Sequence, residues 1–164
     1  MGYWGYFVAG RGQRPLDGFQ ALAELPALRP RTAAPGWQLW ECPSGEADIG
    51  GMTALARETG APALYGYVMD SDCVVVEAAG PLSGAWTTCL GRTAMAGYLG
   101  EDGLALDDCF LPPAEAAGRA AAWAAEAGRT VASATLLDVL LADPDPLAEN
   151  LLFRFLGRLG VVRL

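Results

Sequence analysis

The protein has 164 residues, of which 52% are hydrophobic and 18% charged, and its formal net charge is −8. This length fits one domain with its own core, and the composition favours a packed protein over a disordered chain. The sequence contains no histidine, which excludes a Ser-His-Asp triad, a Cys-His dyad, histidine-ligated metals and an imidazole pH switch.

The charge balance indicates which partners the protein is suited to bind. Its 11 basic residues are all arginines scattered along the chain, and 19 acidic residues oppose them. Binding to a phosphate backbone relies on clustered basic residues, so neither nucleic acid nor an anionic membrane is an expected partner. A basic protein is a compatible partner, although an acidic balance also serves solubility alone.

The sequence also predicts where the protein is located. No apolar run reaches the roughly 18 to 20 residues of a membrane span. The first residues, MGYWGYFVAG, lack a basic segment before an apolar one and predict a strand rather than a signal peptide. The four cysteines, at 42, 73, 89 and 109, form no CxxC pair. We therefore expect a cytoplasmic protein with reduced thiols, no metal and no cofactor, in which Cys73 and Cys89 are small buried residues.

Predicted strands dominate the first half of the chain. Apolar and β-branched runs between turn residues predict five strands, over 3–9, 37–42, 63–69, 73–78 and 85–90. Asp70-Ser71-Asp72 is short enough to be the turn of a hairpin. Two short helices are predicted between the strands, one capped by Asp17 and one capped by Asp48.

Beyond residue 90 the pattern becomes helical. We predict helices over 93–99, from Pro113 to Gly128, over 135–142, and from Asp145 onward with Pro146 at the first helical position. Strands followed by helices, without strict alternation, favour an α+β fold over a doubly wound one. The prediction is a single α+β domain over 1–164, strand-rich over 1–90 and helix-rich over 91–164. Its mainly antiparallel sheet has about five strands with helices packed on it, and its C-terminal part is all helical.

Four carboxylates are the candidates for chemistry. Asp70 and Asp72 form a DxD pattern at a strand end, which in some proteins holds a divalent cation and a nucleotide-sugar phosphate. Turn chemistry, in which Asp and Ser bond the local backbone, explains the same residues. Glu41 and Glu77 lie in predicted strands, where we expect exposed edge positions. If either is buried, it becomes an acid–base candidate with an arginine as its partner.

Aromatic residues in the predicted strands are the most suggestive feature. They are Trp4, Tyr6, Trp37, Trp40, Tyr65, Tyr67 and Trp86. Tyrosine and tryptophan dominate binding hot spots, so one sheet carrying all seven is suited to a ligand or protein surface. A core on both faces of the sheet explains the same residues, because the helices of the second half need an apolar face to cover. The candidate binding residues are Trp40, Tyr65, Tyr67, Trp86, Asp70 and Asp72.

Several stretches resemble an uncharacterised family of short actinobacterial proteins. They are WGYFVAGR, GWQLWE, GYVMDSDCVVVEAAGP and GYLGEDGLALDDCFLPPAEAA. The resemblance implies a bacterial cytoplasmic protein and no known activity. In size, charge and fold class the chain is also similar to small acidic immunity proteins of toxin systems, which bind a toxin and catalyse nothing.

Two functions follow from these patterns. The first is a non-catalytic protein-binding domain, immunity-like, that uses the strand aromatics and the acidic surface. The alternative is a small enzyme using Asp, Glu, Arg or Tyr on a sugar or nucleotide. The alternative requires carboxylates such as Glu41, Glu77, Asp70 and Asp72 to converge in a cleft.

Overall fold

The computed structural model describes residues 2–45 and 49–163. Within them, one antiparallel sheet of six strands has the order β2-β3-β1-β4-β5-β6. The strands are β1 (Gly5–Gly10), β2 (Arg29–Arg31), β3 (Gln38–Cys42), β4 (Ala63–Met69), β5 (Cys73–Gly80) and β6 (Gly84–Leu90). The α-helices are α1 (Met52–Thr59), α2 (Arg92–Glu101), α3 (Leu106–Cys109), α4 (Pro113–Ala125), α5 (Ser133–Leu141) and α6 (Ala148–Leu159). The α+β class and the helical C-terminal part are therefore confirmed.

The sixth strand, β2, was not predicted from the sequence. Pro30 lies at its centre, and proline is typical of chain breaks and of edge strands alike. β2 is an edge strand that pairs only with β3, at Arg29↔Glu41 and Pro30↔Trp40. Because one side of an edge strand needs no ladder hydrogen bonds, the missing N–H of Pro30 is tolerated there.

Two other local predictions were wrong. The helix expected after Asp17 is instead a pair of 3₁₀ turns, Leu16–Gly18 and Gln20–Leu22. The last helix begins at Ala148 rather than at Pro146, and the Asp145 carbonyl accepts a hydrogen bond from Asn150. The predicted cap at Asp48 lies outside the described residues. Helix α1, which Asp48 was expected to cap, is present and ends at Thr59, followed by Gly60 with a positive φ of 68°.

One face of the sheet, here called the closed face, packs against α4, α5 and α6. The strand positions that point to it are buried and apolar, and they join the helices in one large core cluster. Packing is close, because a Cβ added at Gly66 would lie 2.7 Å from the Leu152 side chain. The Trp123 indole N–H donates to the carbonyls of Ala63 and Ala79, both at 3.1 Å. These bonds join α4 to β4 and β5.

The opposite face is covered in two separate places. Helix α1 packs on β5, β4 and β1, and together with the 3₁₀ turns it encloses a cluster that includes Val8, Trp40 and Leu55. Helices α2 and α3 pack on β5 and β6, where Cys73 and Cys89 are fully buried as predicted. Between these clusters lies a row of half-buried residues, here called the open strip. It consists of Tyr65, Tyr67, Val75, Glu77 and Thr87.

Both sheet edges are protected from pairing with another chain. The free edge of β6 is covered by Leu111, whose N–H donates to the Thr87 carbonyl at 3.0 Å. Arg119 donates to the Ala85 carbonyl at 2.8 Å on the same edge. The other edge carries Pro30 between two arginines, which disfavours strand addition. In the part of the chain that the structure describes, no helix is long and apolar enough to cross a membrane.

Candidate functional site

The β4–β5 hairpin tip joins three parts of the molecule. Asp70 and Ser71 adopt positive φ angles of 52° and 57°, as the two central residues of a type I′ turn do, and the Asp72 N–H closes the turn by donating to the Met69 carbonyl at 2.9 Å. The Asp70 carboxylate accepts the Gly2 N–H at 2.7 Å, and the Ser71 hydroxyl accepts the Tyr3 N–H at 2.8 Å. Ser71 also donates to Glu149 on α6 at 3.0 Å. The tip therefore holds the N-terminal segment and α6 in place.

The DxD residues do not converge on a cation position. The Asp70 carboxylate is used by Gly2, whereas the exposed Asp72 carboxylate accepts a hydrogen bond from the Tyr98 hydroxyl at 3.3 Å. Within residues 2–45 and 49–163, no group of three or more Cys, Asp or Glu side chains is arranged to hold a metal ion. Turn chemistry explains this motif.

Glu41 is buried, which corrects the expectation of an exposed edge position. It is only 2% exposed and points to the closed face, opposite Phe7 on β1. Its Oε2 accepts a hydrogen bond from the Tyr3 hydroxyl at 2.6 Å. Its Oε1 is paired with Arg29 at 3.2 Å and with Arg31. The arginine partner considered for a buried carboxylate is therefore present twice, and the cluster ties β2 to β3 and to the segment that precedes β1.

The electrostatics of this cluster match a structural ion pair. Burial raises the pKa of Glu41, but the hydrogen bonds from Tyr3 and Arg31 and the charge of Arg29 outweigh it, so the pKa lies below its ordinary value. Burial, followed by the hydrogen bond to Glu41, raises the pKa of Tyr3 well above its ordinary value. Glu41 is thus held as a carboxylate and Tyr3 as a neutral phenol, which suits neither residue to proton transfer near neutral pH.

Glu77 lies on the other face of the sheet, in the open strip. Burial raises its pKa above the ordinary value, partly offset by hydrogen bonds from the Met52 N–H and from Tyr65. Met52 is the first residue of α1, so the carboxylate lies at the positive end of that helix. Glu77 therefore anchors α1 while remaining half-buried beside the tyrosines.

Two of the aromatic candidate residues belong to the core. Trp40 is 9% exposed, and its indole N–H donates to Gln38 at 3.0 Å. Trp86 is 3% exposed and points to the closed face, and its indole N–H has no acceptor among the described residues. Neither indole is at the surface.

The other two, Tyr65 and Tyr67, belong to an aromatic ladder that crosses β1 and β4. Tyr6 stacks on Tyr67 with ring centroids 4.5 Å apart and meets Tyr65 edge-on at 5.4 Å. Trp4 lies 6.3 Å from Tyr67 at the outer end and is 40% exposed. The Tyr67 hydroxyl donates to the Gly45 carbonyl at 3.0 Å. The aromatic ladder, defined as Trp4, Tyr6, Tyr65 and Tyr67, is an ordered apolar surface.

Two ladder residues, Tyr6 and Trp4, were not among the candidate binding residues, and of these Tyr6 is buried and Trp4 is exposed. The period of two along β1 places Trp4 on the same side as Tyr6, so the alternation itself contained this information. The exposure of Trp4 depends on which elements cover this end of the sheet, which no local pattern reveals.

The four carboxylates required by the enzyme alternative are spread over the molecule. Glu41 and Glu77 point to opposite faces of the sheet, and Asp70 and Asp72 lie at a hairpin tip. Two carboxylates separated by a sheet cannot act on one substrate atom. The described residues thus show no convergent acid–base pair among these four.

Comparisons of this chain with protein-family models, with curated proteins and with solved structures found no match. The resemblance to short actinobacterial proteins therefore stays a prediction.

Proposed function

We propose that this protein is a non-catalytic, cytoplasmic binding protein whose protein partner docks on the aromatic ladder and the adjoining open strip. The observation that carries the proposal is the gap in the helix cover of the sheet. Here Tyr65, Tyr67 and Trp4 are left partly exposed in a fixed, mutually packed arrangement. Rigid aromatic side chains lose little conformational entropy on binding, which is why they dominate hot spots.

The charges around the ladder favour a basic partner. Glu77 lies directly across from Tyr65, and the chain as a whole carries −8. An arginine or lysine of a partner would lie on the exposed tyrosine faces and reach the Glu77 carboxylate, combining cation–π and ionic contacts. The long-range field of an acidic protein also speeds its encounter with a basic one.

Several of the protein's own arginines are already committed elsewhere. Arg29 and Arg31 pair with Glu41, and Arg158 pairs with Asp138 at 3.1 Å. Because the chain is acidic and these three arginines are paired with its own carboxylates, we infer that the ligand is a basic protein and not a nucleic acid. The biological role we propose is immunity-like, with a basic toxin as the partner. It rests on analogy of size and charge.

Site-specific photo-crosslinking in the source organism tests the proposal. A benzophenone amino acid replaces Tyr67 in one variant and Leu141, an exposed residue of α5 that is 63% exposed, in a matched control. We expect one basic protein to cross-link at position 67 and not at position 141. The same protein, purified, should bind the wild-type chain and lose at least about tenfold in affinity for Tyr65→Ser.

Two results would count against this function. Cross-linking of the same protein from both positions would show contact without specificity for the ladder. Unchanged affinity of the purified partner for Tyr65→Ser and Trp4→Ser would show that the aromatic ladder does not form the interface.

A further inference from the structure

A cavity of about 350 Å³ lies on the open side of the sheet, between α1 and the β5–β6 hairpin. Its floor is formed by Ala79, Gly84 and Ala85, and its wall by Thr53, Ala56 and Arg57 of α1. We call this cavity the hairpin pocket. Typical ligand pockets occupy about 300–1,000 Å³, so its volume suits a small organic molecule.

The pocket exists because the sequence places small residues on both of its sides. Ala79 pairs with Ala85 and Gly80 with Gly84 at the end of the β5–β6 ladder, so no bulky side chain rises from the floor. Gly84 has a φ of 80°, a conformation that a larger residue would adopt only with strain. The recess is therefore built into the backbone.

The hairpin beside the pocket is held rigidly. The carboxylate of Glu126, which directly follows α4, accepts the backbone N–H groups of Leu82 and Ser83 at 2.8 and 2.9 Å and also a hydrogen bond from the Ser83 hydroxyl. Arg119 donates to the Ser83 carbonyl at 3.2 Å. A recess bounded by such a fixed turn is preformed, which lowers the cost of binding.

The polar groups of the pocket lining come from α1. Arg57 makes no ion pair among the described residues, although the chain is acidic. The carboxylate of the neighbouring Glu58 is bound instead to the 3₁₀ turns, where it accepts the N–H groups of Gln20 and Ala21 at 3.0 and 2.8 Å. Thr53 adds a hydroxyl one helical turn before Arg57. An apolar recess with one cation and one hydroxyl is complementary to an apolar molecule with an anionic head.

We propose that the hairpin pocket binds a small amphipathic carboxylate, with its aliphatic or aromatic part over Ala79 and Ala85. Its carboxylate pairs with the Arg57 guanidinium and accepts a hydrogen bond from Thr53. This site is separate from the aromatic ladder, and the inference does not rest on the proposed protein-binding function.

Calorimetric titration with octanoate tests the inference, with octanol as the probe that lacks the charge. Arg57→Gln removes the cation and Ala85→Leu fills the floor, whereas Arg154→Gln removes an exposed arginine of α6 and serves as the matched control. We expect octanoate to bind the wild type and Arg154→Gln equally. Its affinity should fall about tenfold in Arg57→Gln, since a charge-assisted hydrogen bond is lost. Binding should be lost in Ala85→Leu, and octanol should bind at least about tenfold more weakly than octanoate.

Other outcomes would overturn the inference. These are no heat of binding at millimolar octanoate, equal affinities for octanoate and octanol, or an unchanged affinity in Arg57→Gln or Ala85→Leu. Leu82, which is 90% exposed on the adjoining turn, provides a further check by sedimentation. A dimer of the wild type that dissociates in Leu82→Ser would show that a second copy of the chain, not a carboxylate, fills the pocket. Circular dichroism of each variant verifies that it is folded before its titration is interpreted.

Discussion

The closed face and the open face of the same sheet differ in how helices cover them. Three helices, α4, α5 and α6, bury the closed face in one continuous core. The open face is buried in two smaller clusters, and the open strip remains between them. Because burial of apolar surface drives folding, we expect the closed face to supply most of the stability. The open face carries the surfaces on which binding is proposed.

The largest expected effect contrasts a buried residue of α6 with a residue of the ladder. Phe155 is fully buried in the closed-face core, so Phe155→Ala should lower the free energy of unfolding by about 3–5 kcal/mol. Tyr67→Ala removes a half-buried ring, its stacking on Tyr6 and one hydrogen bond, so a smaller loss of about 2 kcal/mol is expected. Urea denaturation measures both, with Phe155→Leu as a milder version of the first. Equal losses would mean that the two faces contribute alike.

The next contrast uses one carboxylate from each face. The pKa of Glu41 is lowered in the folded state, so its carboxylate stabilises the fold at pH values above the ordinary carboxyl pKa. This contribution to the free energy of unfolding is lost as the pH falls through the lower pKa of the folded state. Glu41→Gln should therefore cost about 2 kcal/mol at neutral pH, because the buried carboxylate charge that Arg29 and Arg31 pair with is removed, while both arginines are partly exposed and can be hydrated. This difference from the wild type should shrink toward zero in acid.

Glu77 should behave with the opposite sign. Its raised pKa means that the folded state binds the proton more tightly, so its stabilising contribution is present in acid and is lost as pH rises through the folded pKa. Glu77→Gln keeps an acceptor for the Met52 N–H and should leave stability at neutral pH unchanged or slightly higher. Unfolding midpoints measured from pH 3 to pH 8 check both carboxylates. A large loss of stability in Glu77→Gln at neutral pH would contradict the assignment.

A smaller contrast lies within the closed face itself. Trp123 donates to two strand carbonyls, whereas the buried indole N–H of Trp86 has no acceptor among the described residues. Trp123→Phe should thus cost about 1–2 kcal/mol more than Trp86→Phe, which removes a similar volume but no hydrogen bond. Thermal unfolding of the two variants compares them directly. A larger loss for Trp86→Phe would show that its N–H is paired in solution.

The smallest perturbation is thiol labelling, which tests whether the two covered parts of the open face stay closed. Cys42, Cys73 and Cys89 are buried there, and Cys109 is exposed. Burial raises the pKa of Cys89 to about 11 and of Cys73 to about 12. One thiol per chain should therefore react rapidly with an aromatic disulfide reagent at pH 8, and Cys109→Ser should abolish that phase. A second fast phase would reveal opening of a helix cluster.

Much of the fold follows from local sequence patterns. Strand β4 lies at 63–69 as predicted, and β5 and β6 differ from prediction only at their ends. Alternating or continuous apolar runs bounded by glycine and proline indicate strands reliably. β2 escaped prediction because three residues around a proline become a strand only through pairing with β3. The start of α6 was placed too early because an Asp-Pro pair satisfies the helix-start pattern without a helix beginning there.

The candidate sites depended more heavily on tertiary packing. The sequence by itself determined the absence of histidine chemistry, the acidic balance, the order of elements and the enrichment of strands in tryptophan and tyrosine. Only the tertiary structure decided that Trp40 and Trp86 are core residues while Tyr65, Tyr67 and Trp4 are partly exposed. It also decided that Glu41 is buried between two arginines and that Arg57 lies beside a pocket. The physical reason is that exposure and pairing depend on which helices cover each face of the sheet. That choice is made by contacts between residues far apart in the chain.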